Sequence, residues 1–321
     1  MPLNAADALR RLSDEATLEL NTAILETAEE LSSNAIVSDI AAALRTGNPA
    51  RALARLPMER VIARLRGDLA RIVRQVYEGA VAVAPLPREA EEFRNQFNIT
   101  NPEAVNYIRA ASLNTALNIR AEIEDAVRQA VMRGFQEGIH PYDIARSIRH
   151  TVGLTDFGTR AVENYAAFLD DFNARVSGGR AILSNAADRL ARGGMRGMQG
   201  ALRTGLTEER KARLIAKYRD KLIRGRANTI ARTVTIDASN AGQNALWSQA
   251  QSAGYLNQSD WEVKWIVAKD ERTCPKCKAM EKMRRSLYGT YPNGVGRPTL
   301  HPNCRCSEGL VRRTASRRWA A

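Results

Sequence analysis

Every thiol of the chain lies in one segment near its C-terminal end. Cys274 and Cys277 form a Cys-Pro-Lys-Cys pair, and "HPNCRC" brings together His301, Cys304 and Cys306. Two residues between a pair of sulfurs let the backbone fold back so that both can face one ion. A His three positions before a Cys can chelate from a single turn. Donors of this kind in two groups are what Zn²⁺ takes, four at a time and tetrahedrally. Five candidates for four places leave one surplus. Cys274, Cys277 and Cys304 are the favoured ligands, and the fourth is His301 or Cys306, between which the sequence does not choose.

Other chemistries fit less well. A redox Cys-x-x-Cys is expected at a helix N-terminus within a βαβ unit, and no parallel α/β pattern surrounds this one. Disulfides require oxidising conditions. The opening "MPLNAADALRRLSDEATLEL" carries early charges of both signs and no apolar core, so it does not read as a signal peptide; synthesis in a reducing compartment is expected. Catalytic zinc keeps an open position and usually a carboxylate base, and neither a His-Glu-x-x-His helix nor a deaminase pattern is present. A closed, structural site and no enzymatic activity are the expectation. The alternatives are a zinc-containing nuclease of the His-Asn-His type, with His301 or Asn303 near the metal, and a zinc-ribbon DNA-binding protein. Against the nuclease, His140 and His150 lie far upstream and are expected at helix ends.

Charge adds a second candidate function. The chain has 48 Lys and Arg against 35 Asp and Glu, a net +13. Between Ser177 and Asn228 there are thirteen basic and four acidic residues. Arg213, Lys217, Lys221 and Arg224 line up on one face of a helical pattern there, beside an apolar line of Leu214, Tyr218 and Leu222. Such a face suits the phosphates of double-stranded DNA or an acidic protein, or is simply solvated. Tyr218 alone interrupts the basic run as an aromatic, which argues against stacking on single strands. No apolar run nears the roughly 20 residues that cross a bilayer, so no membrane partner is expected.

The elements that must position these groups are mostly helices. Leu9, Leu12, Ala16, Leu20, Ile24 and Leu31 recur at helical spacing, as do Ile62, Leu65, Leu69, Ile72 and Val76 behind Pro57. A third long pattern starts at an Asn101 cap before Pro102 and stops at Gly138. A short helix from Pro141 to about His150 ends at Gly153, and Thr155 or Asp156 opens the next. Ser177–Gln199 is rich in glycine and reads as a flexible connection or a weak helix pair. Helix resumes after Thr207, with Glu208 and Glu209 suiting its dipole. After Gly254 the period changes: in "WEVKWIVAKD" Trp261, Val263, Trp265 and Val267 alternate with Glu262, Lys264 and Ile266, a half-buried strand. The fold class expected is mainly α, a multi-helix N-terminal and central body with a small α+β, zinc-stapled C-terminal lobe. The divisions expected are an N-terminal helical arm (1–100), a helical body (101–258), a strand and zinc lobe (259–312) and a basic tail (313–321).

The ordered set "GLTDFGTRAVENY", "RANTIARTVTIDASNAGQNA", "AGYLNQSDWEVKWIVAKDERTCPKC" and "LHPNCRC" resembles the phage Mu protein F-like minor head protein family, also called the phage head morphogenesis domain. Its Arg-x-x-x-Ile-Ala-Arg-Thr helix corresponds to Arg226–Thr233, its Asp-x-Arg-Thr-Cys-Pro-x-Cys to Asp270–Cys277, and its His-Pro-Asn-Cys-Arg-Cys to His301–Cys306. The resemblance extends over roughly residues 110 to 310; up to about residue 100 there is none. The chain departs from the family's Leu-Asp-Gly-Lys-like turn after the Cys pair, carrying Met280-Glu281-Lys282-Met283 instead. The resemblance implies a virion protein of a tailed phage, in the host cytoplasm during assembly and then at the portal or head interior. Its implied partners are the portal protein, the major capsid or scaffold protein and packaged DNA.

Overall fold

The computed structural model describes residues 5–178, 205–268, 271 and 273–313. Asp270 of the Cys-pair motif, the glycine-rich stretch beyond Gly178 and the tail beyond Arg313 lie outside the described residues. The fold is 70% helical with one small antiparallel sheet near the C-terminus, a mainly α chain with a small α+β lobe. The described helices are α1 (Ala5–Ser33), α2 (Val37–Leu44), α3 (Pro49–Leu53), α4 (Met58–Val83), α5 (Pro102–Gln136), α6 (Pro141–Thr151), α7 (Asp156–Ser177), α8 (Glu208–Ser252) and α9 (Pro275–Ala279), with a 3-10 segment over Arg88–Gln96. None of the described helices is long and apolar enough to cross a membrane.

Local signals account for most boundaries. Asn101 Oδ1 accepts the Glu103 amide at 2.9 Å ahead of α5, and Thr155 Oγ1 accepts the Gly158 amide at 3.2 Å ahead of α7. His140 Nδ1 caps α6 by accepting the Tyr142 amide at 3.3 Å. Gly138 and Gly153 end α5 and α6 with φ of +69° and +91°, a region where a Cβ is strained.

The described chain divides into two compact units. The first comprises Met1–Ile24, Ala63–Ala116 and Asn228–Ala321; the second comprises Leu25–Ile62 and Leu117–Ala227. In the second unit, Tyr165, Phe168, Leu169 and Phe172 of α7 bury against Leu206 and Leu214. Arg219 donates to the carbonyls of His150 (2.7 Å) and Val152 (3.2 Å), neutralising the C-terminal end of α6. Arg226 pairs with Glu122 at 2.6 Å and donates to the Gly153 carbonyl.

The first unit holds the sheet, in the order β2 (Arg284–Arg285), β1 (Trp261–Ile266), β3 (Ser307–Arg312), all antiparallel. Its main apolar cluster joins Tyr77 and Val81 of α4, Phe93, Trp247 of α8, Val263 and Leu287. Each would be an unfilled half-interface alone, so the strands depend on helices far away in sequence. The Trp247 indole donates to the Pro85 carbonyl at 2.9 Å. Gly242 lets α8 approach α4 closely, since a Cβ there would meet the Tyr77 carbonyl oxygen.

The strand alternation needs one correction. Glu262, expected to face outward, is only 7% exposed. It is held by Arg284 at 3.2 Å and Arg313 at 3.3 Å, so an ion-pair lid covers that face instead of water.

Candidate metal centre

The two halves of the donor set are delivered by different devices. Cys274 is the N-cap of α9, with Pro275 at the first helical position and its Sγ accepting the Cys277 amide at 3.4 Å. One helical turn therefore carries both sulfurs to the same side. The second half is a tight turn: the Cys304 amide donates to the His301 carbonyl at 3.1 Å, with Asn303 at φ 61°. Cys306 then feeds directly into β3, whose Ser307 pairs with Ile266 of β1.

Helix α8 fixes that turn. Asn303 donates its backbone amide to Thr233 Oγ1 at 3.0 Å and its side-chain amide to Thr229 Oγ1 at 2.9 Å. One turn apart on a helix, the two hydroxyls lie one above the other, as a paired clamp requires. Further along the same helix, Asn240 Nδ2 donates to the Cys306 carbonyl at 3.2 Å. Thr229, Thr233 and Asn240 supply none of the Cys and His donors and were not among the expected site residues, and Asn303 was expected near the metal only in the nuclease alternative. The only signal was the four-residue spacing of the two threonines within the Arg226–Thr233 motif.

His301 Nε2 lies 3.1 Å from both Cys274 Sγ and Cys277 Sγ, and Cys277 Sγ lies 3.8 Å from Cys304 Sγ. The ligand atoms form two triples, Cys274–Cys277–His301 and Cys277–Cys304–Cys306, each with all atoms within 4.8 Å of one another. Either triple could hold a metal ion, and Cys277 is common to both. The two candidates for the last place, His301 and Cys306, fall in different triples. All four cysteines are free, and 3.8 Å is far from the roughly 2.05 Å of a disulfide. Metal–sulfur bonds of about 2.3 Å at a tetrahedral angle put neighbouring sulfurs about 3.8 Å apart. The Cys277–Cys304 separation matches that edge.

The surroundings favour ligation. The Pro302 carbonyl can only accept, so His301 Nδ1 is the donor in their 2.7 Å hydrogen bond. The lone pair is thereby left on Nε2, facing the sulfurs, the outer support seen at metal-bound imidazoles. Burial, with the neighbouring Cys304, pushes the Cys277 thiol up to about 12, whereas the Cys306 thiol, bonding to Cys304, pulls the latter down to about 5. Cys274 is lowered by the Cys277 backbone amide. The hydrogen bond to Cys304, together with burial, holds the Cys306 thiol far above its usual range. Protons are thus crowded among sulfurs that a cation would relieve of them. The cavity around the cluster is about 20 Å³, room for an ion but not a substrate.

The four basic residues singled out from the sequence stand elsewhere. Arg213, Lys217, Lys221 and Arg224 are all exposed on the N-terminal half of α8, in the second unit. Three of their basic neighbours are absorbed internally: Lys211 pairs with Asp170, Arg219 caps α6 and Arg226 binds Glu122.

No curated protein and no solved structure matches the chain. A family model does match, over a shorter stretch than the motifs suggested: "GLTDFGTRAVENY" falls outside it, and α8, β1, β2, the first two residues of β3 and all five donors fall inside. Residues 196–308 match the model of the Phage Mu protein F like proteins, a family of phage head morphogenesis.

Proposed function

We propose that this protein is a structural minor head protein of a tailed phage, bound at the portal or head interior and acting in head assembly and in DNA packaging or delivery. The observation that carries this reading is the match over residues 196–308, which takes in α8 and the whole Cys/His cluster as one continuous region. In this reading the cluster binds one Zn²⁺ through four of Cys274, Cys277, His301, Cys304 and Cys306. The ion staples α9, the Asn303 turn and β3 together where the local apolar core is small. Its role is structural rather than catalytic, which the narrow cavity at the cluster supports. The commitment of His301 Nε2 to two sulfurs speaks against a His-Asn-His nuclease, as does the use of His140 as a helix cap.

The partners in this reading are the portal protein, the major capsid or scaffold protein, and packaged double-stranded DNA met by Arg213, Lys217, Lys221 and Arg224. The location is the virion, after assembly in the host cytoplasm. The test is fractionation of proheads and virions from infected cells, with the protein followed by mass spectrometry. It should co-purify with portal at low copy; absence from both particles would overturn the assignment.

A further inference from the structure

The hairpin of α2 and α3, in the second unit, carries three cations that no carboxylate absorbs. No acidic residue occurs between Asp39 and Glu59, and Arg45, Arg51 and Arg55 all fall in that interval. All three are exposed, and none has an ion-pair or side-chain hydrogen-bond partner among the described residues. Other arginines of the unit are neutralised: Arg60 by Glu30, Arg133 by Asp156 and Arg175 by Asp171. The nearest following carboxylate, Glu59, is itself taken by Arg120 at 2.7 Å. The packing of α2 on α3 gathers two of the cations. A groove of about 400 Å³ is lined by Ala42, Ala43, Thr46, Arg51, Ala54 and Arg55. Four residues apart in helical geometry, Arg51 and Arg55 share a side, and the lining holds no acid. Thr46 gives its hydroxyl hydrogen to the Ala43 carbonyl at 2.7 Å, which leaves the two guanidinium groups as the side-chain donors of the groove.

We propose that this groove grips the phosphate backbone of double-stranded DNA, with Arg51 and Arg55 each meeting one phosphate. The guanidinium fork matches phosphate oxygens, and a floor of alanines lets the backbone come close. Nothing but the two cations reaches out from that floor, so the contact positions a duplex rather than reading its sequence. No aromatic side chain lines the groove, which argues against stacked single strands. An acidic protein partner fits less well. Protein interfaces draw most of their energy from large side chains anchored in pockets, and alanines offer no such pocket. The groove deepens the DNA contact of the proposed function and rests on it, through residues that lie outside the matched 196–308.

The test is fluorescence-anisotropy titration of the full-length protein against a short labelled DNA duplex at a series of salt concentrations. Arg51→Gln/Arg55→Gln should flatten the slope of log affinity against log salt by about 1.8. Raising salt from roughly 50 to 200 mM should then cost the variant about twelvefold less affinity than the wild type. Arg51→Lys/Arg55→Lys keeps both charges and should keep the slope. Arg66→Gln/Arg128→Gln, the same change in net charge at exposed arginines elsewhere, should leave it unchanged. All three variants alter exposed side chains and should melt with the wild type. The proposal is overturned if the wild type does not bind the duplex, if Arg51→Gln/Arg55→Gln keeps the wild-type slope, or if the Arg66/Arg128 pair flattens it equally. It is also overturned if poly-L-glutamate binds as tightly as the duplex and loses affinity in Arg51→Gln/Arg55→Gln, which marks an acidic protein site. A steep wild-type slope that Arg51→Gln/Arg55→Gln leaves intact removes this groove alone; the head-protein reading is decided separately, by the particle fractionation.

Discussion

Removing the Glu308 carboxylate tests how the Cys/His lobe is fastened to the helices. Glu308 is the second residue of β3, two positions after Cys306, and its side chain is completely buried. Arg285 meets it with Nε at 3.1 Å and Nη2 at 3.2 Å, and Tyr291 donates its hydroxyl at 2.8 Å. Asn244 of α8 donates its side-chain amide to the same carboxylate and accepts from Arg285 in return. The remaining Arg285 nitrogen serves the carbonyls of Ser286 and Leu287. Burial, reinforced by Glu308, holds the Tyr291 phenol far above its usual range, so it stays a donor. Glu308→Ala would strand a guanidinium whose side chain is 2% exposed and leave the Tyr291 hydroxyl and one Asn244 amide hydrogen unpaired, the other going to the Asn240 carbonyl. Breaking a buried pair from one side costs about 3–5 kcal/mol; in a unit of this size that lowers the melting temperature on the order of 10 °C. The double variant Arg285→Met/Glu308→Leu removes both charges and should lose only about 1–3 kcal/mol, the cost of the orphaned Tyr291 and Asn244 groups. Chemical denaturation followed by tryptophan fluorescence would measure both, since Trp261 and Trp265 lie on the adjoining strand. A loss below about 1 kcal/mol for Glu308→Ala, or equal losses for the single and double variants, would refute the reasoning that an uncompensated buried charge dominates.

The metal reading predicts about one zinc per chain by elemental analysis, and loss of that zinc in Cys277→Ser, because Cys277 belongs to both donor triples. Of His301→Ala and Cys306→Ser, the one that keeps full zinc identifies the surplus donor; a metal-free wild type with an intact lobe would end the idea. Gly242→Val drives a branched side chain into the Tyr77 carbonyl and should cost about 1–3 kcal/mol. Gly225→Ala meets nothing within 4 Å and should stabilise by about 0.5–1 kcal/mol, so equal effects at the two glycines would be inconsistent with the packing described. If Arg213, Lys217, Lys221 and Arg224 contact DNA phosphates, reversing all four charges should flatten the slope of log affinity against log salt by up to about 3.6; an unchanged slope removes them from any DNA interface.

Helix limits were legible in the sequence because caps and breakers act within a few residues. Asn101, Thr155, Gly138 and Gly153 do the work their types announce. The donor set was legible for the same reason: a Cys-x-x-Cys turn and a His-x-x-Cys turn are local geometries, and the structure brings the two turns together. The turn that carries His301 and Cys304 is held by Thr229 and Thr233, about seventy residues earlier in the chain, and no periodicity marks a hydroxyl for that purpose. Glu262 and Glu308 were unreadable in another way. A carboxylate on a strand signals solvent until a specific arginine arrives from a distant segment to replace the water. By itself, then, the sequence determined the long helices, the strand β1 and which atoms could bind a metal, since these follow from neighbours along the chain. Only the tertiary structure decided which polar groups are buried, which arginines are absorbed and which line an open cavity, because that depends on pairing between residues the chain order keeps apart.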